Sequence, residues 1–388
     1  MTNSSVIRPA CSLLITFLVI LSFSFLPVCS TAPIPNFDLS SESLIPKKTG
    51  YLISGFATGD RFGYSVTTAG DINNDGFDDF LVGAYKWSST RGIVYVIYGG
   101  PTNSFVDIDL STTSLNPTST WFAIMGSAAG DQFGISVSSA GDINKDGHDD
   151  IVIGADAKNA VYVIYGKPSY TANIDLSSTT LIPSSTGFMI TGEVAGEQFG
   201  YSVSSAGDVN KDTYDDIVIG APLRGSGRGA AYVIYGKATY SSNFNLGTTA
   251  LNPSTTGFTI SGAATGDQFG NTVSAAGDVN GDTYHDIIIG AEAKNSLQGA
   301  AYVVYGKASP GNIDLSSAAL NPATTGFSII GSAVGDRLGW ALSKAGDINK
   351  DGKGDILLGA FAVNSGAGAV YVIYGKTTPA HLDLNSAL

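Results

Sequence analysis

Short apolar runs bounded by glycine recur along the chain from about residue 50 onward. Some runs alternate apolar and polar residues, as in Tyr64-Ser65-Val66, which is typical of a strand with one buried face. Others are apolar throughout, as in Ile287-Ile288-Ile289, which indicates a strand that is buried on both faces. No window sustains a 3.6-residue period, and glycine interrupts the sequence too often for long helices. The pattern therefore predicts an all-β protein.

The apolar runs belong to one unit that is repeated five times, with copies spaced 66 to 71 residues apart. Each copy has a Phe-Gly pair, an Asp/Asn-rich loop, an apolar run ending in Gly-Ala, and a Tyr-rich run ending in Tyr-Gly. The Phe-Gly pairs start at Phe62, Phe133, Phe199 and Phe269, and Leu338 replaces the aromatic residue in the fifth copy. A further apolar strand, such as Tyr51 to Ser54, precedes every copy.

Four short strands per repeat predict the fold class, an all-β β-propeller built from four-stranded blades. A string of separate small β domains is the alternative, but sheets this apolar need neighbours to cover them. The strand at Tyr51 precedes the first complete unit, so we expect it to complete the last blade and close a ring of five.

The Asp/Asn-rich loops carry the most specific chemistry. In the first loop, oxygen-bearing side chains stand at positions 1, 3, 5 and 9, and the carbonyl of residue 7 adds another oxygen. This spacing suits Ca²⁺, which takes six to eight oxygen ligands. The metal ligands predicted from the five loops are Asp71, Asn73, Asp75, Asp79, Asp142, Asn144, Asp146, Asp150, Asp208, Asn210, Asp212, Asp216, Asp278, Asn280, Asp282, Asp286, Asp347, Asn349, Asp351 and Asp355.

The loops differ from an EF-hand because position 12 is apolar and leads into a strand instead of carrying a glutamate. Magnesium is less suited, since it prefers tight octahedral geometry and retained waters. Position 6 is glycine in three loops but Thr213 and Thr283 in the third and fourth. We expect a strained turn and weaker binding in those two loops.

The first thirty residues have the pattern of a secretory signal peptide, with Arg8 before an apolar stretch and small residues near Ser30. The expected organisation is therefore a signal peptide over residues 1–30 and one propeller domain over residues 31–388. An uncleaved membrane anchor is the alternative. Both cysteines, Cys11 and Cys29, fall in this segment, so the exported chain would have no disulfide, and no later stretch is long and apolar enough to span a bilayer.

Composition excludes some functions. The 20 basic residues against 33 acidic ones form no basic cluster, so nucleic acid is not an expected partner. The loops hold three predicted ligand aspartates each, or 15 of those 33 acidic residues, which places almost half of the acidic residues in predicted metal sites. The three histidines, at 148, 285 and 381, accompany no nucleophile motif, so no catalytic residue is predicted. A secreted hydrolase acting on lipid or glycan is the alternative function.

The Phe-Gly pairs, the Asp-x-Asn-x-Asp-Gly-x-x-Asp loops and Gly220-Ala221-Pro222 together resemble the FG-GAP repeats of integrin α-subunit propellers. The resemblance implies Ca²⁺ in the loop between the first two strands of a blade, and a role in adhesion or ligand binding. It also leaves open a seven-bladed ring of which these five repeats are a part. We therefore expect a secreted or cell-surface binding module, not an enzyme, whose partner is an extracellular protein or glycan. The oligomeric state and the ligand's identity are not readable from the sequence.

Overall fold

The computed structural model describes residues 50–101, 106–113 and 116–385, which all fall in one compact unit. The predicted signal peptide lies outside these residues. The described part begins with the two-residue strand β1 (Ile53–Ser54) and continues with five sheets in succession, as the sequence predicts. No described helix is long and apolar enough to cross a membrane.

Three antiparallel strands form the centre of every blade. The first strands are β2 (Ser65–Gly70), β7 (Val137–Gly141), β12 (Ser202–Gly207), β17 (Val273–Gly277) and β22 (Ala341–Gly346). The second strands are β3 (Asp79–Ala84), β8 (Asp150–Ala155), β13 (Asp216–Ala221), β18 (Asp286–Ala291) and β23 (Asp355–Ala360). The third strands are β4 (Ile93–Ile97), β9 (Ala160–Ile164), β14 (Ala230–Ile234), β19 (Ala300–Val304) and β24 (Ala369–Ile373).

Blades 1 to 4 also have the predicted fourth strand, and beyond it a short parallel strand that the sequence did not predict. The fourth strands are β6 (Trp121–Met125), β11 (Gly187–Thr191), β16 (Gly257–Ser261) and β21 (Gly326–Ile330). The parallel strands that pair with them are β10 (Ile174–Asp175), β15 (Phe244–Asn245), β20 (Ile313–Asp314) and β25 (Leu382–Asp383), and β5 (Ile108–Asp109) pairs with β1 in the same way. Each comes from the connector of the following blade, so neighbouring blades are linked at their outer edges.

Four one-turn helical segments interrupt the otherwise all-β chain. They lie between the second and third strands of blades 1, 3, 4 and 5, and are α1 (Trp87–Thr90), α2 (Arg224–Gly227), α3 (Lys294–Leu297) and α4 (Val363–Gly366). Each contains three consecutive residues with positive φ, so none extends into a regular helix. The corresponding loop of blade 2 is four residues shorter, from Asp156 to Asn159.

The hydrophobic core lies between the blades. The first strands of consecutive blades pack side by side, and each of four large apolar clusters combines residues from two neighbouring blades. Phe199 is fully buried and meets Tyr232 edge to face, with ring centroids 5.2 Å apart. The equivalent aromatic pairs recur in blades 1, 2 and 4. Because every sheet uses its neighbour to bury its apolar face, the blades form one propeller and not separate domains.

The two ends of the blade series differ from the expected five-bladed closure. Strand β1 pairs with β5 and not with the third strand of blade 5. Strand β1 pairs with β5 in parallel, just as β6, the fourth strand of blade 1, pairs with β10. By this comparison, β1 takes the place of a fourth strand that precedes blade 1. Strand β24 therefore has no fourth strand among the described residues, and its Val370 is 67% exposed. The expectation that β1 completes the last blade is wrong for this structure.

Candidate metal centres

The five Asp/Asn-rich loops connect the first and second strands of the blades, as predicted. They occupy residues 71–79, 142–150, 208–216, 278–286 and 347–355, and so lie at one end of the strand pairs. In each strand pair the register shifts by one residue just before the loop, where a glycine such as Gly207 has positive φ. This irregularity turns the chain into the loop in the same way five times.

All twenty predicted ligand residues lie in these loops and share one hydrogen-bonding pattern. In the third loop, Asp208 accepts the N–H groups of Asp212 at 3.0 Å and of Thr213 at 2.8 Å. The side-chain oxygen of Asn210 accepts the N–H of Asp212 at 2.9 Å, and Asp212 accepts the N–H of Tyr214 at 3.0 Å. The same bonds occur in the other four loops. The side chains at positions 1, 3 and 5 thus turn toward the centre of their own loop.

The aspartate at position 9 is buried and anchors the loop to the sheet. Asp216 is 0% exposed; one oxygen accepts the N–H of Val209 at 2.9 Å and the other accepts the N–H of Gly236 at 2.9 Å. Burial, with a smaller contribution from the carboxylates at positions 5 and 1, raises the pKa of Asp216 to about 8. The same causes raise the pKa of the equivalent residue to about 7 in loop 1 and to about 8 in loops 2 and 4, at Asp79, Asp150 and Asp286. A bound cation would relieve this repulsion between carboxylates.

The donor set agrees with a hard cation, although the structure does not assemble a coordination sphere. Within the three described ranges, no three His, Cys, Asp or Glu side chains converge as a metal-binding group. In every loop the side-chain oxygens are held by backbone N–H groups, and the asparagine at position 3 also donates to the aspartate at position 5. All donors at positions 1, 3, 5 and 9 are nevertheless carboxylate or amide oxygens, the type that Ca²⁺ prefers. The residues therefore fit the ion in chemistry and spacing.

The backbone at position 6 is strained in loops 3 and 4, as the sequence predicts. Thr213 and Thr283 have φ values of 80° and 76°, in the region where the other three loops have glycine. A β-branched residue is costly there. Lysines from the preceding loops contact these two threonines: the Nζ of Lys145 donates to Thr213 Oγ1 at 2.6 Å, and Lys211 donates to Thr283. The effect of this arrangement on metal affinity stays a prediction.

Consecutive loops are joined through position 8, which sequence reasoning missed. Asp149 accepts the backbone N–H of Asp71 at 2.8 Å, and Asp215 accepts that of Asp142 at 3.1 Å. In blade 4, the Nδ1 of His285 takes this place and accepts the N–H of Asp208 in blade 3 at 3.0 Å. Each of these side chains reaches from one blade to the first residue of the preceding loop. The side chains at position 8 therefore connect loops 1 to 4 in a row, so a change in one of these loops affects its neighbour.

Comparison with known proteins agrees with the geometry. The FG-GAP repeat model matches residues 62–97, 133–164, 199–234, 269–304 and 338–373, which cover the first three strands of every blade. The chain is 30% identical over 190 residues to integrin alpha pat-2 of Caenorhabditis elegans, a match that covers 46% of the chain and 14% of the relative. It is 30% identical over 247 residues to integrin alpha-5 of Xenopus laevis, covering 59% of the chain and 20% of the relative.

Integrin alpha-6 of Gallus gallus is 29% identical over 174 residues, which is 44% of this chain and 14% of that protein. The chain thus spans no more than about a fifth of the length of these relatives. The five matched FG-GAP repeats coincide with the five sheets that form the blades of the structure. The chain is therefore an integrin-α-like FG-GAP repeat protein with a β-propeller fold.

Proposed function

We propose that this chain is an exported, calcium-stabilised propeller that serves as an adhesion or ligand-binding module. The observation that carries the proposal is the fivefold repetition of one loop with the same oxygen donors and the same hydrogen bonds. A single Asp/Asn-rich loop is weak evidence, because these residues also stabilise ordinary turns. Five loops with the donor spacing of a calcium site support a shared ligand.

In this proposal, each ion is held by the side chains at positions 1, 3, 5 and 9 of its loop. The ion supplies positive charge next to the buried aspartate at position 9, where burial disfavours the carboxylate. Loops 3 and 4 bind more weakly because Thr213 and Thr283 stand in a glycine conformation. The acidic loops and the predicted signal peptide suit an extracellular setting, where calcium is abundant enough for sites of modest affinity.

The proposed activity is binding and not catalysis. A hydrolase would need a pair of carboxylates in one pocket with at least one of them free to act as an acid or base. In blade 3, Glu193 lines a cavity and Glu197 is buried, but Arg224 pairs with both, at 2.5 Å and 3.8 Å. The expected ligand is an extracellular protein or glycan, as the similarity to integrin α subunits suggests.

A binding screen tests the proposed function. The exported form, residues 31–388, would be presented to immobilised matrix proteins and glycans with calcium or with a chelator. We expect a ligand that is retained only with calcium. The double variant Asp71→Ala/Asp75→Ala removes two donors from one loop and should weaken that retention, whereas Asp107→Ala, on an exposed connector outside the loops, should not. Binding that is indifferent to calcium would contradict the proposal.

A further inference from the structure

The interface between consecutive blades has the same two sides four times within the chain. In blade 2 one side consists of Ile143 from the Asp/Asn-rich loop and Val161 and Val163 from the third strand, all fully buried. The other side consists of Phe199 and the first-strand residue Val203 of blade 3, which are also buried. These residues belong to one apolar cluster. The clusters between the other consecutive blades combine the equivalent residues.

Close backbone contacts make the same interface specific. Ser136 donates its hydroxyl to the Gly200 carbonyl oxygen of the next blade at 2.8 Å, and a Cβ added to Gly154 would lie 2.0 Å from that oxygen. The equivalent close approaches join Gly83 to Gly134, Gly220 to Gly270 and Gly290 to Gly339. A blade therefore meets the next blade through a fixed set of contacts and not through apolar area alone.

Blade 5 carries the first side of this interface without the second. The equivalent residues are Ile348, Val370 and Val372, and all three are exposed. We call them the blade 5 face. A Cβ added to Gly359 would meet Ala341 of its own blade, the nearest atom at 3.3 Å, where the other blades meet a glycine of the next blade. The blade 5 face is thus uncovered within the described part of the chain.

Blade 1 carries the second side without the first. Val66, the equivalent of Val203, is 50% exposed, and Phe62 is partly exposed although the Phe-Gly aromatic residues of blades 2 to 4 are fully buried. We call Phe62 and Val66 the blade 1 face. A Cβ added to Gly63 would meet nothing within 4 Å, whereas the equivalent glycines all lie against the preceding blade. The blade series therefore ends in two different, complementary faces.

The strand edges at the two ends are complementary as well. Residues 50–54 read Gly-Tyr-Leu-Ile-Ser, like the fourth-strand sequences Gly-Phe-Met-Ile-Thr at 187–191 and Gly-Phe-Thr-Ile-Ser at 257–261. The leading glycine has a φ of 145° at Gly50 and of 129° at Gly187. No third strand pairs with β1 among the described residues, and β24 has no fourth strand there. Each end of the series thus presents the strand edge that the other end lacks.

The row of loops ends in the same way. The side chains at position 8 bond the first N–H of the preceding loop from blades 2, 3 and 4. In loop 1 this position is Asp78, which is exposed and has no preceding loop to contact within residues 50–385. At the other end, no position 8 side chain in this range accepts the N–H of Asp347. Asp78 and Asp347 are therefore a further unmade pair of the same type.

We propose that the blade 1 face of one copy of this chain, together with its strand β1, docks on the blade 5 face of a second copy. Strand β1 would pair with β24 of the other copy as β11 pairs with β9 within the chain. The reason for choosing a second copy is continuity with the interfaces already described. Every chain carries both sides of an interface that it forms four times, and in the single chain the two remaining sides stay apart and exposed.

The proposed contact joins two different surfaces, so it is heterologous. Each added copy brings a further free face, and association continues until a ring closes or a filament forms. Covering the apolar side chains and pairing the open strand edges both favour association.

Sedimentation velocity on residues 31–388, from about 1 μM to about 100 μM, tests the proposal. We expect the monomer fraction to fall with concentration as species of two or more copies form. Val66→Lys and Val370→Lys each bury an ammonium group in one face on association and should weaken it at least about tenfold. Val194→Lys, on an exposed loop of blade 3, is the matched control and should leave association unchanged. A parent chain that is monomeric throughout would overturn the proposal.

Mixing the two face variants tests whether the contact joins different surfaces. Val66→Lys retains the blade 5 face, and Val370→Lys retains the blade 1 face. Each should be monomeric alone, and an equimolar mixture should form a dimer and nothing larger. Because both valines are exposed in the single chain, the monomeric variants should melt close to the parent, as circular dichroism can check. A variant that associates alone like the parent, or a mixture that stays monomeric, would refute the heterologous contact.

A disulfide identifies the occupant of the open edge. In the proposed pairing Leu52 of one copy lies opposite Tyr371 of the other, as Met189 lies opposite Tyr162. Residues 31–388 contain no cysteine, so the double variant Leu52→Cys/Tyr371→Cys has only the two introduced thiols. Oxidation should give covalent dimers and longer species on a non-reducing gel. A monomer with an internal disulfide would show that the chain closes on itself, and thiols that stay reduced would indicate another occupant; either result would overturn the proposal.

Discussion

Replacing Asp216 by alanine separates the structural role of position 9 from its role toward a metal. In the absence of metal, the buried Asp216 side chain accepts the N–H groups of Val209 and Gly236, both at 2.9 Å. Asp216→Ala leaves both donors buried without a partner. At about 1–3 kcal/mol for each unpaired group, the free energy of unfolding should fall by roughly 2–6 kcal/mol.

The matched control is Asp212→Ala in the same loop. Asp212 is exposed and accepts the N–H of Tyr214 at 3.0 Å, and water can replace that bond. Its loss in chelator should cost less than about 1 kcal/mol.

Thermal unfolding followed by circular dichroism in chelator measures the difference. At about 2 °C per kcal/mol for a large domain, Asp216→Ala should melt roughly 4–12 °C below the parent chain, and Asp212→Ala close to it. In saturating calcium both variants should lose the stabilisation contributed by this loop. If the two variants melt at the same temperature in chelator, the proposed anchoring role of position 9 is wrong.

Two further predictions concern the blades. Gly220→Ala would place a Cβ 2.0 Å from the Gly270 carbonyl oxygen of the next blade and should destabilise the chain by about 1–3 kcal/mol or more. In the control Gly311→Ala, the added Cβ meets nothing within 4 Å. Equal melting temperatures of the two variants would contradict this close approach. Burial raises the pKa of Asp156 to about 6, above its ordinary value of 3.8, so ionisation of this group lowers the stability as the pH rises from about 4 to 6. Asp156→Asn should remove that loss and be more stable than the parent by about 1–3 kcal/mol at pH 7.5. Urea unfolding of both chains at pH 4 and at pH 7.5 measures the difference. A variant whose stability depends on pH in the same way as the parent's would refute the prediction.

Much of the architecture was predictable because the same signals repeat five times. Gly-bounded β-branched runs mark the inner strands, and Phe199 with its equivalents marks the packing between blades. The parallel strands of the β10 type were not predicted, because two residues are too few to show a period. Their available signal was the recurrence of Ile-Asp-Leu-Ser, as at Ile174 and Ile313.

The contacts between loops depend on which blades are neighbours, so one loop alone does not reveal them. Comparison of the copies does carry a signal. The two loops with threonine at position 6, Thr213 and Thr283, each follow a loop with lysine at position 4, Lys145 and Lys211. Loop 5 has glycine at position 6 and follows Gly281. The placement of β1 was wrong because the sequence shows that a fourth strand is present but not which blade receives it.

Calcium titration of residues 31–388 tests the central claim most directly. Calorimetry combined with thermal unfolding should show several calcium ions bound per chain, up to five, and a rise in melting temperature that a chelator reverses. A site filled at one hundred times its dissociation constant contributes about 2.7 kcal/mol to the free energy of unfolding. The double variant Asp71→Ala/Asp75→Ala should lower the stoichiometry by one. No bound calcium and an unchanged melting temperature would contradict the account.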